Sequence, residues 1–130
     1  MDFEQGYRAT RQAWIDGVNE HYPGTPKASY VTPWDEMDVW EQEAVKQLFN
    51  HVRAIITPSL QAGVHIPAEH GGHLVASTWN VLMFQLLHDP KASYVKHFHE
   101  LDEWQQKTDI GMFHAIESSV TQELSSLETH

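Results

Sequence analysis

The chain has 130 residues, 41% of them hydrophobic, with no cysteine and a formal net charge of −10. This length suits one domain with a single core, and the lack of cysteine excludes disulfides, thiolate nucleophiles and Cys-ligated metal sites. The acidic balance repels phosphate backbones, so nucleic-acid binding is not expected.

Neither the N-terminus nor the most apolar stretch indicates export or membrane insertion. The opening "MDFEQGYRAT" is polar and carries acidic residues early, unlike a secretory signal peptide. The stretch "LVASTWNVLMFQLL", residues 74–87, is too short to span a bilayer as a helix. We therefore expect a cytoplasmic protein that does not associate with membranes.

Two amphipathic helices are predicted in the first half of the chain. The first ends at Pro23-Gly24, and its apolar face is formed by Phe3, Tyr7, Thr10, Trp14, Val18 and Tyr22. The second is predicted to end near Pro58, and its stripe is formed by Trp40, Ala44, Val45, Leu48, Phe49, Val52, Ile55 and Ile56. Its start carries Asp38-x-x-Glu41, a capping-box pattern that favours helix initiation.

The second half predicts two more helices. Residues His73 to His88 are nearly all apolar, which predicts a central helix. The last helix follows the pattern Asp102-x-x-Gln105, and its stripe is formed by Trp104, Thr108, Met112, Phe113, Ile116 and Val120. The tail, residues 121–130, keeps helical spacing of its leucines, so the last helix is predicted to extend past residue 120, while the Ser and Thr content predicts fraying near its end.

An internal repeat organises these elements. The hexapeptide "PKASYV" occupies residues 26–31 and again 90–95. At the same offset the identities continue as Glu36/Glu100, Asp38/Asp102, Trp40/Trp104, Gln42/Gln106 and Phe49/Phe113. Such self-similarity predicts a repeat architecture.

The predicted fold is therefore mainly α: a single domain of two pseudo-twofold-related repeats, each a helix, an extended segment and a helix. Repeat one covers about residues 3–57, a connector about 58–68, and repeat two about 69–120. The two "PKASYV" segments are expected to be loops or short β-strands that meet across the pseudo-twofold axis. Neither half can bury its apolar face alone, so we expect one shared core.

The phrases "PWDEMDVWEQE" (33–43) and "FHELDEWQQKTD" (98–109) resemble the repeated signature of the RyR domain, the ryanodine-receptor-type repeat. That family also includes small stand-alone proteins of bacteria, actinobacteria among them, and of phages. The resemblance covers about residues 10–56 and 74–118. It implies one pseudo-symmetric domain with a non-catalytic binding or scaffolding role, without a cofactor and without catalytic residues.

A small-ligand site is predicted around the repeated hexapeptides. Tyr30 and Tyr94 lie in segments of small residues beside Lys27 and Lys91, and a ring with a nearby ammonium suits a small anionic, nucleotide-like ligand. Trp34 belongs to the same candidate set. The recurring tryptophans, in contrast, are expected to be core aromatics.

Asp109 is the local anomaly of the last helix. It falls on the buried stripe, where the first half has Val45. A carboxylate there must be hydrogen-bonded, paired or shifted in pKa. Two interpretations remain open: a buried Asp bonded to a backbone or Trp N–H group, or the anchor of a ligand pocket.

The histidines suggest metal binding only as an alternative. "EHGGH" and "HFHE" place His70, His73, His97 and His99 close to glutamates, and each spacing can supply two zinc ligands. Neither is a known zinc motif, and surface histidines are common, so we expect no metal.

Three functions follow. The first is a module that binds a nucleotide-like ligand or a host or partner protein. The second is a homodimeric interaction protein, or a phage accessory protein with no small ligand, because Val81, Phe84 and Leu87 lie off the main stripe of their helix. The third is a His/Glu metal-dependent hydrolase.

Overall fold

The segments with helical apolar periodicity form four α-helices, which make one mainly helical domain. The computed structural model describes residues 2–128. The helices are α1 (Phe3–His21), α2 (Val39–Gln61), α3 (Ala68–Leu86) and α4 (Glu103–Glu128). Two turn segments, residues 22–38 and 87–102, join α1 to α2 and α3 to α4. Helix α4 continues past residue 120, as predicted, and runs to Glu128; residues 129 and 130 lie outside the described part.

The turn segments contain 3₁₀ helices in place of the predicted loops or strands. These are Ala28–Val31 and Trp34–Glu36 in the first segment, and Ala92–Tyr94 and Phe98–Glu100 in the second. Residues 2–128 contain no β-strand, so the expectation of short strands was wrong. The reason is local: the N–H groups of Tyr30 and Tyr94 donate to the carbonyl groups of Lys27 and Lys91 at 3.0 and 2.9 Å. These turns satisfy backbone groups without a partner strand.

Helix α2 begins where predicted, with Asp38 at the N-cap position, but ends later than predicted. It runs through Pro58 to Gln61. The proline removes only its own backbone N–H donor. The N–H groups of Ala62 and Val64 still donate to carbonyl oxygens of the last turn. Gly63, with φ +75°, then reverses the chain. The predicted capping box at Asp38 does not form, since its side chain makes no cap hydrogen bond.

The core lies between helices of different halves. Helix α1 packs most extensively on α4, α4 also packs on α3, and α2 packs on α3 and α4. The largest fully buried side chains are Phe49, Phe113, Leu48, Ile56, Leu82, Met83 and Ile116. A bidentate ion pair between Arg53 and Glu123, with N–O distances of 2.6 and 3.0 Å, further joins α2 to α4.

Helix α3 is less central than its composition predicts. It begins at Ala68, directly after Pro67, one turn earlier than the apolar run. Val81 and Phe84 lie on its outer face, 54% and 65% exposed. No helix among residues 2–128 has the length and apolarity needed to cross a membrane.

Candidate ligand-binding cavity

A cavity of about 320 Å³ lies where all four helices meet both turn segments. Its volume falls at the lower end of the range of small-molecule sites, about 300–1,000 Å³. The aromatic residues that line it are Trp14, Tyr30, Trp40, Trp79, Tyr94 and Trp104. Tyr30 and Tyr94, which the repeated hexapeptide places 64 residues apart, thus reach the same cavity.

The lining comes in matched positions of the two halves. Residues that the internal repeat aligns line it together: Ser29 and Ser93, Tyr30 and Tyr94, Trp40 and Trp104, Val45 and Asp109, Leu48 and Met112. Each half therefore supplies about half of the walls. Because the aligned residues are separated along the chain, the cavity exists only when both halves are folded together.

One group of aromatic lining residues, the closed wall of Trp14, Tyr30 and Trp104, is covered by contacts among its own rings. Trp14 donates from Nε1 to the carbonyl oxygen of Tyr30 at 2.8 Å. The ring of Trp104 contacts Trp14, Tyr22 and Tyr30, with centroids 5.9, 4.9 and 5.9 Å away. Edge-to-face and stacked contacts of this kind stabilise aromatic clusters by about 0.5–1.5 kcal/mol per pair.

A second group of aromatic lining residues, the open wall, lacks such packing. Within residues 2–128, Trp40, Trp79 and Tyr94 make no ring–ring contact with any other aromatic side chain, although all three line the cavity. The corresponding rings of the closed wall are Trp104, Trp14 and Tyr30. The open wall therefore presents aromatic surface that a flat ligand can cover by stacking.

A buried arginine lies at the rim of the closed wall. Arg11 is 7% exposed, and its guanidinium donates to the carbonyl oxygen of Thr32 at 3.0 and 3.1 Å. Burial lowers the pKa of Arg11. Burial also raises the pKa of Glu41, against the attraction of Arg11. The cavity therefore has a polar side with both signs of charge.

Asp109 is one of the residues that line the cavity, and its carboxyl group has no hydrogen-bond partner in the described part of the protein. It is 6% exposed, and no hydrogen bond or ion pair within residues 2–128 involves its side chain. Burial raises its pKa to about 8. At neutral pH the group is therefore mainly protonated, with one O–H to donate and one carbonyl oxygen to accept.

The other predicted ligand residues lie beside the cavity. The Nζ atoms of Lys27 and Lys91 each lie 5.8 Å from the ring centroid of Tyr30 and Tyr94, within cation–π range, but neither lines the cavity. Trp34 is 8% exposed and stacks on Tyr7 at 6.3 Å in a small core cluster. It supports the fold next to the site.

Several lining residues were not anticipated from the sequence. Arg11 interrupts the apolar face of α1 between Thr10 and Trp14, and this interruption is the signal that would have found it. Asn80 and Lys96 also line the cavity, and the Asn80 side chain donates to the Lys96 carbonyl oxygen at 2.9 Å. No local pattern marks either of them.

The histidine motifs contribute one histidine each, and the first motif also a glutamate, to a second cluster on the surface. Glu69, His73 and His99 have ligand atoms that all lie within 4.8 Å of one another. His70 and His97, the other two predicted candidates, are not part of this group.

No family model, no curated protein and no solved structure matches the chain.

Proposed function

We propose that the protein is a non-catalytic binding module, resembling RyR domains, that holds a small nucleotide-like ligand between two pseudo-twofold-related repeats. The observation that carries the proposal is that the open aromatic wall of Trp40, Trp79 and Tyr94 lines the same cavity as the unpartnered carboxyl group of Asp109. A planar heteroaromatic group stacks on such a wall, and its polar edge meets the carboxyl group.

The charges of the lining suit a ligand that carries both a base and an anionic group. With Asp109 protonated, Arg11 and Lys96 balance Glu41 and Asp102. An uncharged carboxyl group can both donate to and accept from the edge of a base. The Lys96 ammonium makes no ion pair within residues 2–128 and can attract a phosphate, although the protein as a whole is acidic.

A first test is native mass spectrometry of tag-free protein mixed separately with AMP, GMP, CMP and UMP. We expect a one-to-one adduct with at least one of them. Tyr94→Ala is expected to lose the adduct while keeping the wild-type circular dichroism spectrum, because Tyr94 is 37% exposed. Phe84→Ala is the matched control: it removes an exposed ring that does not line the cavity.

Two results would contradict this assignment. If none of the four nucleotides adds to the wild type but tetramethylammonium does, the aromatic wall binds cations and the ligand class is wrong. If Tyr94→Ala and Phe84→Ala retain the adduct equally, the nucleotide binds elsewhere.

A second candidate is a homodimeric interaction protein. The exposed Val81 and Phe84 on the outer face of α3 favour it, since the monomer leaves them uncovered. The same mass spectra report it directly: a dimer that Phe84→Ala weakens, with no bound nucleotide, supports this alternative over the ligand-binding function.

A further inference from the structure

A trio of metal-type ligands joins α3 to the second turn segment outside the cavity. Glu69 and His73 are four residues apart on α3, so they share one face of the helix. His99 belongs to the 3₁₀ helix Phe98–Glu100. The Nε2 atoms of His73 and His99 are 3.1 Å apart, and Oε1 of Glu69 lies 3.8 Å from Nε2 of His99.

These distances are close to those of a tetrahedral site. Zinc–nitrogen bonds of about 2.0–2.1 Å at the tetrahedral angle place two ligand nitrogens about 3.3 Å apart. The 3.1 Å between His73 and His99 differs from this by a few tenths of an ångström. The Glu69 side chain is 67% exposed, so it can close the remaining gap by a small rotation.

The buried surroundings hold one ligand in place. The ring of His73 packs on Phe98, with ring centroids 4.6 Å apart, and Phe98 is 4% exposed. This contact restrains the imidazole before any ion arrives, which reduces the entropy lost on binding. Without an ion, the two imidazoles share a hydrogen bond and Glu69 pairs with His99 only when that imidazole is protonated, whereas one bound ion accounts for all three ligands together.

We propose that Glu69, His73 and His99 bind one divalent transition-metal ion of the zinc class, with water completing the coordination. Two imidazoles and one carboxylate suit zinc, whereas magnesium and calcium prefer oxygen ligands. The bound ion links α3 to the second turn segment. The three ligands come together only in the folded protein, so the unfolded chain lacks the site. Metal binding therefore stabilises the folded state.

The test is isothermal titration calorimetry of tag-free protein with ZnCl₂, paired with melting temperatures measured with and without the metal. We expect one equivalent of zinc and a melting temperature raised by several degrees, with no response to MgCl₂. His99→Asn removes a direct ligand. Loss of an outer-shell partner lowers metal affinity by roughly 10–100-fold, and we expect His99→Asn to lower zinc affinity by more than this. His70→Asn, which removes a histidine outside the trio, is the matched control and keeps wild-type affinity.

Glu69→Gln serves as a second ligand variant if His99→Asn alters the metal-free melting temperature, because Glu69 is an exposed side chain. Equal zinc binding by wild type and the ligand variants overturns the proposal. An equal loss of zinc affinity in His70→Asn and His99→Asn also overturns it, because it indicates general binding by surface histidines. The absence of saturable zinc binding by the wild type overturns it as well.

Discussion

Asp109 places a carboxyl group on the buried face of α4, where the aligned position of α2 holds Val45. Its burial favours the protonated form, and its pKa rises from the ordinary 3.8 to about 8. The folded protein therefore retains a proton that the unfolded chain releases near pH 4. The contribution of Asp109 to folding stability is therefore fully present below that pH and is lost as the pH rises through about 8.

Replacing this residue by its neutral isostere tests the assignment. Between about pH 4 and pH 8 the wild type should lose about 1.4 kcal/mol of unfolding free energy per pH unit relative to Asp109→Asn, and the difference should then level off. Urea denaturation at about pH 5, 7 and 9 measures it. Asp89→Asn, which replaces an exposed acid by its neutral isostere, is the matched control. Parallel pH profiles for Asp109→Asn and wild type would contradict the burial of the carboxyl group.

At the scale of the elements, each half packs a glycine near the start of one helix against a phenylalanine of its other helix. A Cβ atom on Gly6 in α1 would overlap the ring of Phe49 in α2, and one on Gly71 in α3 would overlap the ring of Phe113 in α4. The missing side chains let these helices approach closely. Close packing makes such contacts sensitive to a single added methyl group.

Gly71→Ala is expected to destabilise the protein by about 1–3 kcal/mol, because the added methyl forces the Phe113 ring or α3 to shift. Gly111→Ala is the matched control within α4, where a Cβ has no neighbour within 4 Å. It should leave stability unchanged or raise it by about 0.5–1 kcal/mol through helix propensity. Thermal unfolding followed by circular dichroism compares them, and equal melting temperatures would rule out the close approach.

Over the whole molecule, the main helix contacts cross between the halves of the chain. Helix α1 of the first half packs chiefly on α4 of the second, and the Arg53–Glu123 ion pair also crosses between them. The ligand cavity has walls from both halves for the same reason. Each half alone exposes the apolar face that the other covers, so the free energy of folding depends on both.

Separate fragments of residues 1–64 and 65–130 are accordingly expected to lack fixed tertiary structure, since the cut falls in the connector between α2 and α3. Near-ultraviolet circular dichroism, which reports the packing of the five tryptophans, should be weak for each fragment and recover on equimolar mixing. A native-like signal from either fragment alone would mean that one half forms its own core.

The sequence by itself determined the four helices and most of their buried faces, because side-chain periodicity is a local property of the chain. It also marked Asp109 as a residue whose pKa or bonding must be unusual. Its errors were local too: Pro58 does not end α2, the Asp38 side chain at the N-cap makes no cap hydrogen bond, and the turn segments form 3₁₀ helices.

Only the tertiary structure decided which distant residues meet. Tyr30 and Tyr94 line one cavity, and His73 meets His99, because helix packing sets distances between residues that no sequence spacing encodes. The same packing leaves Asp109 without the predicted hydrogen bond to a backbone or Trp N–H group, and its role as the anchor of a ligand pocket stays a prediction. Local patterns specify elements, whereas the shape of the space between them arises from how their side chains interlock.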